Sequence, residues 1–359
     1  MNERLTKVAQ SLELKGLDAV LIMRPTNIYY LTGFTGGAVY LLIGRESADL
    51  ITDFKFTDQA KIECPDIRHH EYSVLNPYFA IIAGLGYETI GFEADYQTCS
   101  MADGLRSLMG FAEWKPYGAD IADMRACKDE GELELMREAA RISDRSFRQT
   151  LEYICAGRTE KQVATFLFQR MVENGADLHL SFDICVGSGV RSAISHCEAS
   201  DKVIERGDMV VMDFGCRYQY YTTDCTRSVV IGRANEEQRT VYNHVLNAQQ
   251  QVLDRMKAGM TNAQAHRIAN EYFAAAGYSD VCGNALGHGI GLGLEDKLLL
   301  IDIVQFFGES PLLVNMVETV EPGIYLPERF GVRIEDDVIV GENGVEIITR
   351  APKDLMEIG

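Results

Sequence analysis

The chain has 359 residues, of which 47% are hydrophobic and 24% charged, a balance typical of globular proteins with a sizeable core. The length allows two domains or one large one. A net charge of −19 argues against nucleic acid or an anionic membrane as a partner, because both would repel an acidic surface.

The cysteines predict a reducing environment. Their number, nine, is odd, their spacing is irregular and no CxxC pair occurs, which argues against a disulfide framework or a zinc ribbon. The first residues form an amphipathic helical pattern without the apolar stretch of a signal peptide. No apolar run reaches the roughly 18 residues of a spanning helix. We therefore expect a cytoplasmic protein without a membrane partner.

The first third of the chain predicts an α/β layer domain. Apolar periodicity predicts a helix over residues 3–16 and a strand over 17–23, followed by a glycine-rich turn over 27–37. Two strands, a helix, a strand and a helix are predicted next, over residues 38–44, 48–53, 56–63, 88–94 and 101–111. Alternation of this kind is typical of an α/β fold.

Proline, glycine and charged residues cluster around 114–132, so we place a domain boundary at about 120–130. The predicted domains are 1–125 and 126–359. The second domain repeats one order of elements: two helices, a histidine and a β-rich segment containing carboxylates. The helices are predicted over 130–154, 159–176, 236–257 and 262–276, and the histidines are His196 and His288. The repeat predicts an α+β domain with a pseudo-two-fold β core and outer helices.

The first β-rich segment, MVVMDFGCRYQYYTTDCTRSVV (209–230), carries two aspartates. Asp213 and Asp224 are equidistant from a turn centred between Tyr218 and Gln219. If the flanking runs pair as a hairpin, the two carboxylates are cross-strand neighbours with Cβ atoms roughly 5 Å apart. Like charges that close repel each other unless a proton or a cation lies between them.

The second segment, ETVEPGIYLPERFGVRIEDDVIV, has the same design. Glu321 and Glu335 are symmetric about Glu328, and His288 lies between the two segments in GHGIG. Four carboxylates and one imidazole suit a pair of divalent metal ions. Oxygen-rich ligation favours Mn²⁺, with Co²⁺, Zn²⁺ or Fe²⁺ as alternatives.

Each of these residues taken alone has a simpler interpretation. A single aspartate on a strand is more often a turn or edge residue. Glu335, beside Asp336 and Asp337, fits a solvated acidic patch, and His288 fits a hydrogen-bonded turn. The joint pattern of two symmetric pairs with a histidine between them favours the dinuclear site.

Several segments in order resemble the creatinase/prolidase/aminopeptidase P group of metallopeptidases, which share the pita-bread fold. They are YLTGFTGG, VGSGVRSAISH, MDFGCRYQYYTTDCTRSV, GHGIG, TVEPGIYLP and GVRIEDDVIV, and they span nearly the whole chain. The resemblance implies a creatinase-like first domain and a catalytic second domain. It also implies a homodimer in which the first domain helps to shape the site.

The resemblance further implies roles for individual residues. The implied metal ligands are Asp213, Asp224, His288, Glu321 and Glu335. Asp224 and Glu335 would bridge both ions, Asp213 would complete one, and His288 with Glu321 would complete the other. His196 would line the substrate pocket and hydrogen-bond the scissile peptide. Arg333, two residues before Glu335, would support the ligands or a proton relay, and Glu321 is the candidate to move the proton.

The chain departs from the group after GHGIGL. Glu295 stands where a second histidine is expected, Asp296 where a glutamate is, and Leu298 where a proline is. An unprotonated carboxylate repels an oxyanion, and loss of one oxyanion donor typically lowers the rate by about 10²–10³. Either Glu295 has a raised pKa and acts as an acid, or another group substitutes, or the activity has decayed or changed.

We therefore expect a metal-dependent exopeptidase that hydrolyses Xaa-Pro bonds of short peptides. One alternative is a metal-binding homologue with weak, altered or no peptidase activity. Another is an enzyme that cleaves a C–N bond of a small amide or amidine, as creatinase does. Creatinase works without metal, so the predicted ligand set counts against the last alternative.

If the substitution at this position alone limits catalysis, Glu295→His should raise turnover of an Xaa-Pro dipeptide in the presence of Mn²⁺, because histidine can donate a hydrogen bond to the oxyanion. Steady-state rates of the variant and the parent protein measure the effect. An unchanged rate would show that the substitution at this position alone does not limit catalysis.

Overall fold

The computed structural model describes residues 1–118, 120–180, 182–283, 285–293, 299–300 and 308–359. The chain divides into two compact units, Met1–Met124 and Arg125–Gly359. No helix within the described ranges is both long and apolar enough to cross a bilayer.

The first unit is built on one six-stranded sheet with the order β4-β3-β2-β1-β5-β6. Its strands are β1 (Ala19–Ile22), β2 (Val39–Gly44), β3 (Ala48–Asp53), β4 (Arg68–Tyr72), β5 (Thr89–Glu93) and β6 (Glu113–Tyr117). Its helices are α1 (Glu3–Leu14), α2 (Pro25–Thr32), α3 (Thr57–Glu63), α4 (Tyr78–Gly84) and α5 (Cys99–Leu108), and α6 (Asp120–Ala126) spans the point of division. β1 is fully buried, and its run of apolar residues fits a central strand.

The segment 27–37, predicted as a glycine-rich turn, is helical in its first half, so that prediction was wrong. Pro25 occupies the first turn of α2, where its fixed φ favours a helix. Gly33 ends the helix in the left-handed conformation, with φ 77°. Gly33, which the sequence suggested as part of a turn, therefore marks the end of a helix. β4, α4 and β6 were not predicted. β4 and β6 are the two edge strands, and neither shows a clear apolar alternation.

The described part of the second unit contains four long helices, each with a capping box at its N-terminus. They are α7 (Glu130–Leu151), α8 (Glu160–Glu173), α9 (Glu236–Leu253) and α10 (Asn262–Ala275), and a short 3₁₀ helix covers Gly189–Ala193. The strands are β7 (Cys185–Ser188), β8 (Met209–Phe214), β9 (Arg217–Tyr218), β10 (Tyr221–Thr222), β11 (Cys225–Ile231), β12 (Gly287–His288), β13 (Leu299–Leu300), β14 (Val317–Val320), β15 (Gly323–Leu326), β16 (Phe330–Arg333), β17 (Asp336–Val340), β18 (Val345–Ile347) and β19 (Met356–Ile358).

The two halves of this unit have separate cores of the same design. α7 and α8 pack on β7, β8 and β11, whereas α9 and α10 pack on β14 to β17. Thr159 before α8 and Thr261 before α10 are equivalent caps. The segment around each cap bonds to the chain that leads into a carboxylate hairpin, through Gly157 N to Ile204 O and Gly259 N to Leu312 O, both at 2.9 Å. The predicted α/β first domain and pseudo-two-fold second domain are confirmed.

Phe147→Ala tests the core of the first half. Phe147 is fully buried on α7 and stacks on Phe214 of β8, with ring centroids 5.2 Å apart. We expect the variant to lose about 3–5 kcal/mol of unfolding free energy in urea denaturation, because a large cavity is left. Leu178→Ala, at a 72% exposed residue, is the control and should change stability by less than about 0.5 kcal/mol. Equal losses in the two variants would contradict the packing.

Candidate metal centre

The first carboxylate hairpin is formed by β8 and β11, but its register differs from the predicted one. Asp213 pairs with Thr226 and not with Asp224. The tip is a two-residue turn in which Gln219 and Tyr220 have φ of 47° and 73°, the signs of a type I′ turn. The predicted direct pairing was therefore wrong. Because Thr226 and Asp224 are two positions apart, the aspartates still lie on one face of the hairpin.

The second hairpin has the predicted register. β15 pairs with β16 so that Gly323 faces Arg333, and β14 pairs with β17 so that Val320 faces Asp336. Between these ladders the same register sets Glu321 opposite Glu335. The turn includes Glu328 in the left-handed region, with φ 61°. The predicted symmetry about Glu328 is confirmed.

The two hairpins bring three buried carboxylates together. One carboxylate oxygen from each of Asp213, Asp224 and Glu335 lies within 4.8 Å of the others. His288 Nε2 lies 3.7 Å from Asp224 Oδ2 and 3.6 Å from Glu321 Oε1. The five residues predicted as metal ligands thus converge on one place.

His288 is held beside the second hairpin by hydrogen bonds from the backbone at and after it. Its N–H donates to Thr319 Oγ1 at 3.0 Å, and Ile290 N donates to Val317 O at 2.9 Å. A Cβ at Gly287 would lie 2.1 Å from Thr319 O, so only glycine allows this approach. His288 Nδ1 is 3.2 Å from Gly289 O. A proton on Nδ1 would bond there and leave the Nε2 lone pair facing the carboxylates, as in metal-bound histidines.

Three side chains fix the carboxylates. Thr226 Oγ1 donates to Glu335 Oε2 at 2.6 Å, and Thr319 Oγ1 donates to Glu321 Oε1 at 3.1 Å. The buried Arg333 donates through Nη2 to an oxygen of Asp213 and through Nε to Thr226 Oγ1 at 2.9 Å. These bonds set the direction of the carboxylates of Asp213, Glu321 and Glu335 before any ion binds.

The cluster is electrostatically unfavourable without a cation. Burial, then Glu335 and Asp213, raise the pKa of Asp224 well above its usual range. Burial, then Glu321 and Asp213, do the same to the pKa of Glu335. Burial also raises the pKa of Glu321, partly offset by Arg333 and His288. Carboxylates in this state must hold protons or cations.

The donor set fits divalent metal ions. Asp213 Oδ1, Asp224 Oδ1 and Glu335 Oε1 are buried and accept no hydrogen bond from any described residue. Buried carboxylate oxygens are normally paired, so three orphans at one place point to a missing ligand. Oxygen donors with one imidazole suit Mn²⁺, Co²⁺, Zn²⁺ or Fe²⁺.

The other predicted residues lie around this cluster or outside the described ranges. Arg333 touches Asp213 directly. His196 is exposed, and no hydrogen bond or ion pair links its side chain to the five residues within the described chain. Glu295, Asp296 and Leu298 lie outside the described residues. The roles of His196, Arg333 and Glu321 stay predictions.

Sequence reasoning missed Thr226, Thr319 and Asp337. Asp337 accepts from Thr223 Oγ1 at 2.6 Å and from the backbone N of Asp224 at 2.9 Å, so it fixes the strand end that carries Asp224. A signal existed for the threonines. Each is two positions from a candidate ligand in a β-rich segment, and therefore on the same face.

Comparison with known proteins defines the class. Residues 134–342 match the model of metallopeptidase family M24, and residues 4–127 match the creatinase/prolidase N-terminal domain. Fold and site therefore define a metallopeptidase. The chain belongs to metallopeptidase family M24, which confirms the resemblance found in its motifs and implies divalent metal ions.

Individual relatives match over their whole length. The Xaa-Pro dipeptidase of Pyrococcus horikoshii is 35% identical over 359 residues, 99% of each chain. The X-Pro aminopeptidase from Thermotoga maritima has a TM-score of 0.88 at 39% identity, covering 97% of this chain and 100% of that one. The Xaa-Pro dipeptidase from Bacillus anthracis has a TM-score of 0.93 at 35% identity, covering 99% of both chains.

Asp224→Asn is expected to have opposite effects without and with metal. In EDTA it should raise the unfolding free energy by about 1–3 kcal/mol, because asparagine replaces a buried carboxyl whose ionisation is opposed by burial and by Glu335 and Asp213. With Mn²⁺ at 100 times its Kd, the parent protein should gain about 2.7 kcal/mol and the variant clearly less. Urea denaturation measures both values.

Asp201→Asn is the control, since Asp201 is an exposed aspartate paired with Lys161. It should change neither value. A destabilised metal-free Asp224→Asn, or an undiminished gain from Mn²⁺, would contradict the site.

Proposed function

We propose that this protein is a dinuclear metal-dependent exopeptidase that cleaves the bond between an N-terminal residue and a following proline in short peptides. The observation that carries the proposal is the convergence of four carboxylates and His288, in which three carboxylate oxygens are buried and have no partner among the described residues. The names of the relatives support the substrate class, since two are Xaa-Pro dipeptidases and one is an X-Pro aminopeptidase.

Asp213, Asp224, His288, Glu321 and Glu335 would hold two divalent ions, and the oxygen-rich donor set favours Mn²⁺. Of these, Asp224 and Glu335 would be shared by both ions, Asp213 would complete one, and His288 with Glu321 would complete the other. When bound, such ions supply Lewis acidity and a nucleophilic water at neutral pH.

Glu321 is the group that we assign to proton transfer. Its carboxylate would take up the proton of the attacking water and return it to the leaving amine. The bond from Thr319 Oγ1 keeps Oε1 oriented, and Oε2 faces Arg333 Nε at 4.0 Å. Arg333 faces both Glu321 and Asp213, so its positive charge limits the repulsion between the two carboxylates.

His196 is assigned to the substrate. The adjacent Ser195 carbonyl accepts from Arg333 Nη1 at 2.7 Å, which ties the backbone before His196 to the residue that holds Asp213. An exposed imidazole beside such an anchor can hydrogen-bond the scissile peptide. The free amine of the substrate would be attracted by the carboxylates, which explains cleavage at the N-terminal end.

The proposal includes a homodimer in the cytoplasm, without nucleic-acid or membrane partners. The nine cysteines are all free, which suits a reducing compartment. The dimer follows from the resemblance of the chain to its group.

The test is a hydrolysis assay with a panel of Xaa-Pro di- and tripeptides, using protein stripped of metal and reloaded with Mn²⁺. We expect turnover that is lost in EDTA and restored by Mn²⁺, because the carboxylates need the ions to act. Matched Xaa-Ala peptides are the control for proline preference. Absence of turnover with any metal, in protein that binds two ions per chain, would overturn the proposal and favour a binding homologue altered at Glu295.

A further inference from the structure

The segment that carries His196 is a closed loop. It spans residues 189–199, between Ser188 at the end of β7 and Ser200, and we call it the His196 loop. It begins with the 3₁₀ helix Gly189–Ala193, and Glu198 forms an isolated bridge with Cys185. The contacts at the two ends of this loop set the path of the backbone that carries His196.

Both ends of the loop bind one buried carboxylate, that of Glu160. Its Oε1 accepts from the backbone N and the Oγ of Ser188 at 2.8 and 2.9 Å. Its Oε2 accepts from the backbone N and the Oγ of Ser200 at 3.0 and 2.6 Å. Arg191 Nε, inside the loop, donates to both oxygens at 3.2 and 3.0 Å. Each oxygen thus holds one end, and the carboxylate closes the base of the loop.

Glu160 is ionised and is not needed to cap its helix. Burial opposes the charge, but the hydrogen bonds from Ser200 and Ser188 outweigh it and hold the pKa of Glu160 below its usual range. Thr159 already caps α8. In the other half, the equivalent helix position is the neutral Asn262, which accepts from Ser310 N at 3.1 Å. A full charge at this position is therefore specific to the half that carries His196.

The far side of the loop is attached to the second carboxylate hairpin. Ser192 Oγ accepts from Gly331 N at 2.9 Å, and Ser195 O accepts from Arg333 Nη1 at 2.7 Å. A Cβ at Gly331 would lie only 2.2 Å from Ser192 O, so the two backbones are in close contact. The loop is thereby held at its base by Glu160 and along its length by the strand that leads to Glu335.

We propose that Glu160 is the positioning residue for His196, closing the His196 loop so that the imidazole is preset for the substrate. Glu160 touches neither substrate nor metal ligand and acts through Ser188, Ser200 and Arg191. The role given to His196 rests on the proposed function, whereas the closure of the loop does not.

The first arm of the test measures amide hydrogen exchange in residues 189–199 of the full chain. Glu160→Gln replaces one carboxylate oxygen by an NH₂ group, which cannot accept hydrogen bonds from the donors around it. The rate of amide hydrogen exchange in residues 189–199 should therefore rise by about tenfold or more, equivalent to about 1.4 kcal/mol of local opening. Glu173→Gln, the same change at an exposed residue of α8, should leave it unaltered. Mn²⁺ binding, measured by calorimetry, should be unchanged in both variants. Unaltered exchange in Glu160→Gln would overturn the proposal.

The second arm is a double-mutant cycle on kcat/KM for an Xaa-Pro dipeptide. Glu160→Gln alone should lower kcat/KM by about 10- to 100-fold, as small misplacements of a binding group do. In a His196→Ala background it should have little further effect, because both changes remove one interaction. Full additivity would assign Glu160 a general structural role and overturn the proposal.

Failure of the variant to fold and failure of the proposed function can each be told apart from failure of the loop closure. If Glu160→Gln does not fold, Ser200→Ala replaces it in both arms. It removes the hydroxyl bond from residue 200 to Glu160 Oε2, and leaves the backbone bond and the pairing of the carboxylate with Ser188 and Arg191. The same directions are expected, with smaller size. If the parent protein cleaves no Xaa-Pro peptide, the proposed function fails, while the exchange result alone decides whether Glu160 closes the loop.

Discussion

The mutual repulsion of buried carboxylates is the constraint on which the second unit depends. Three of them have oxygens within 4.8 Å of one another, and the guanidinium of Arg333 contacts one of the three, Asp213. A second buried arginine supports the strands from the other side: Arg227 is fully buried, pairs with Asp336 at 2.7 Å and donates to the backbone carbonyl of Glu335. Metal ions would complete this balance, so ion binding and stability of the fold are linked.

The pseudo-two-fold repeat explains how such a site is assembled. Each half supplies one hairpin, and neither hairpin has enough ligands alone. Glu335 N donates to Thr226 O at 3.1 Å, which joins the two hairpins directly. Thr222 N donates to Gly291 O at 2.8 Å, which joins the tip of the first hairpin to the segment after His288. The site therefore lies where the halves meet, and the local geometry of each ligand depends on contacts between segments far apart in sequence.

That dependence decides what the sequence could reveal. The pairing of Glu321 with Glu335 was predictable, because the turn between them fits a regular hairpin. The pairing of Asp213 was not, since nothing in the residues Gln219 and Tyr220 signals a type I′ turn, which usually contains asparagine or glycine. The alternation of elements predicted the layers of the first unit, but polar edge strands were missed. The loop closure by Glu160 joins three segments and leaves no local pattern.

The most direct measurement is anomalous diffraction from crystals of the protein grown with Mn²⁺. We expect two anomalous peaks per chain, both between the hairpins and separated by about 3.5–4 Å, as in two-metal hydrolases. Each peak should touch an oxygen of Asp224 and of Glu335. No peak at this place, or a single ion bound by Asp213 or His288 alone, would contradict the dinuclear centre.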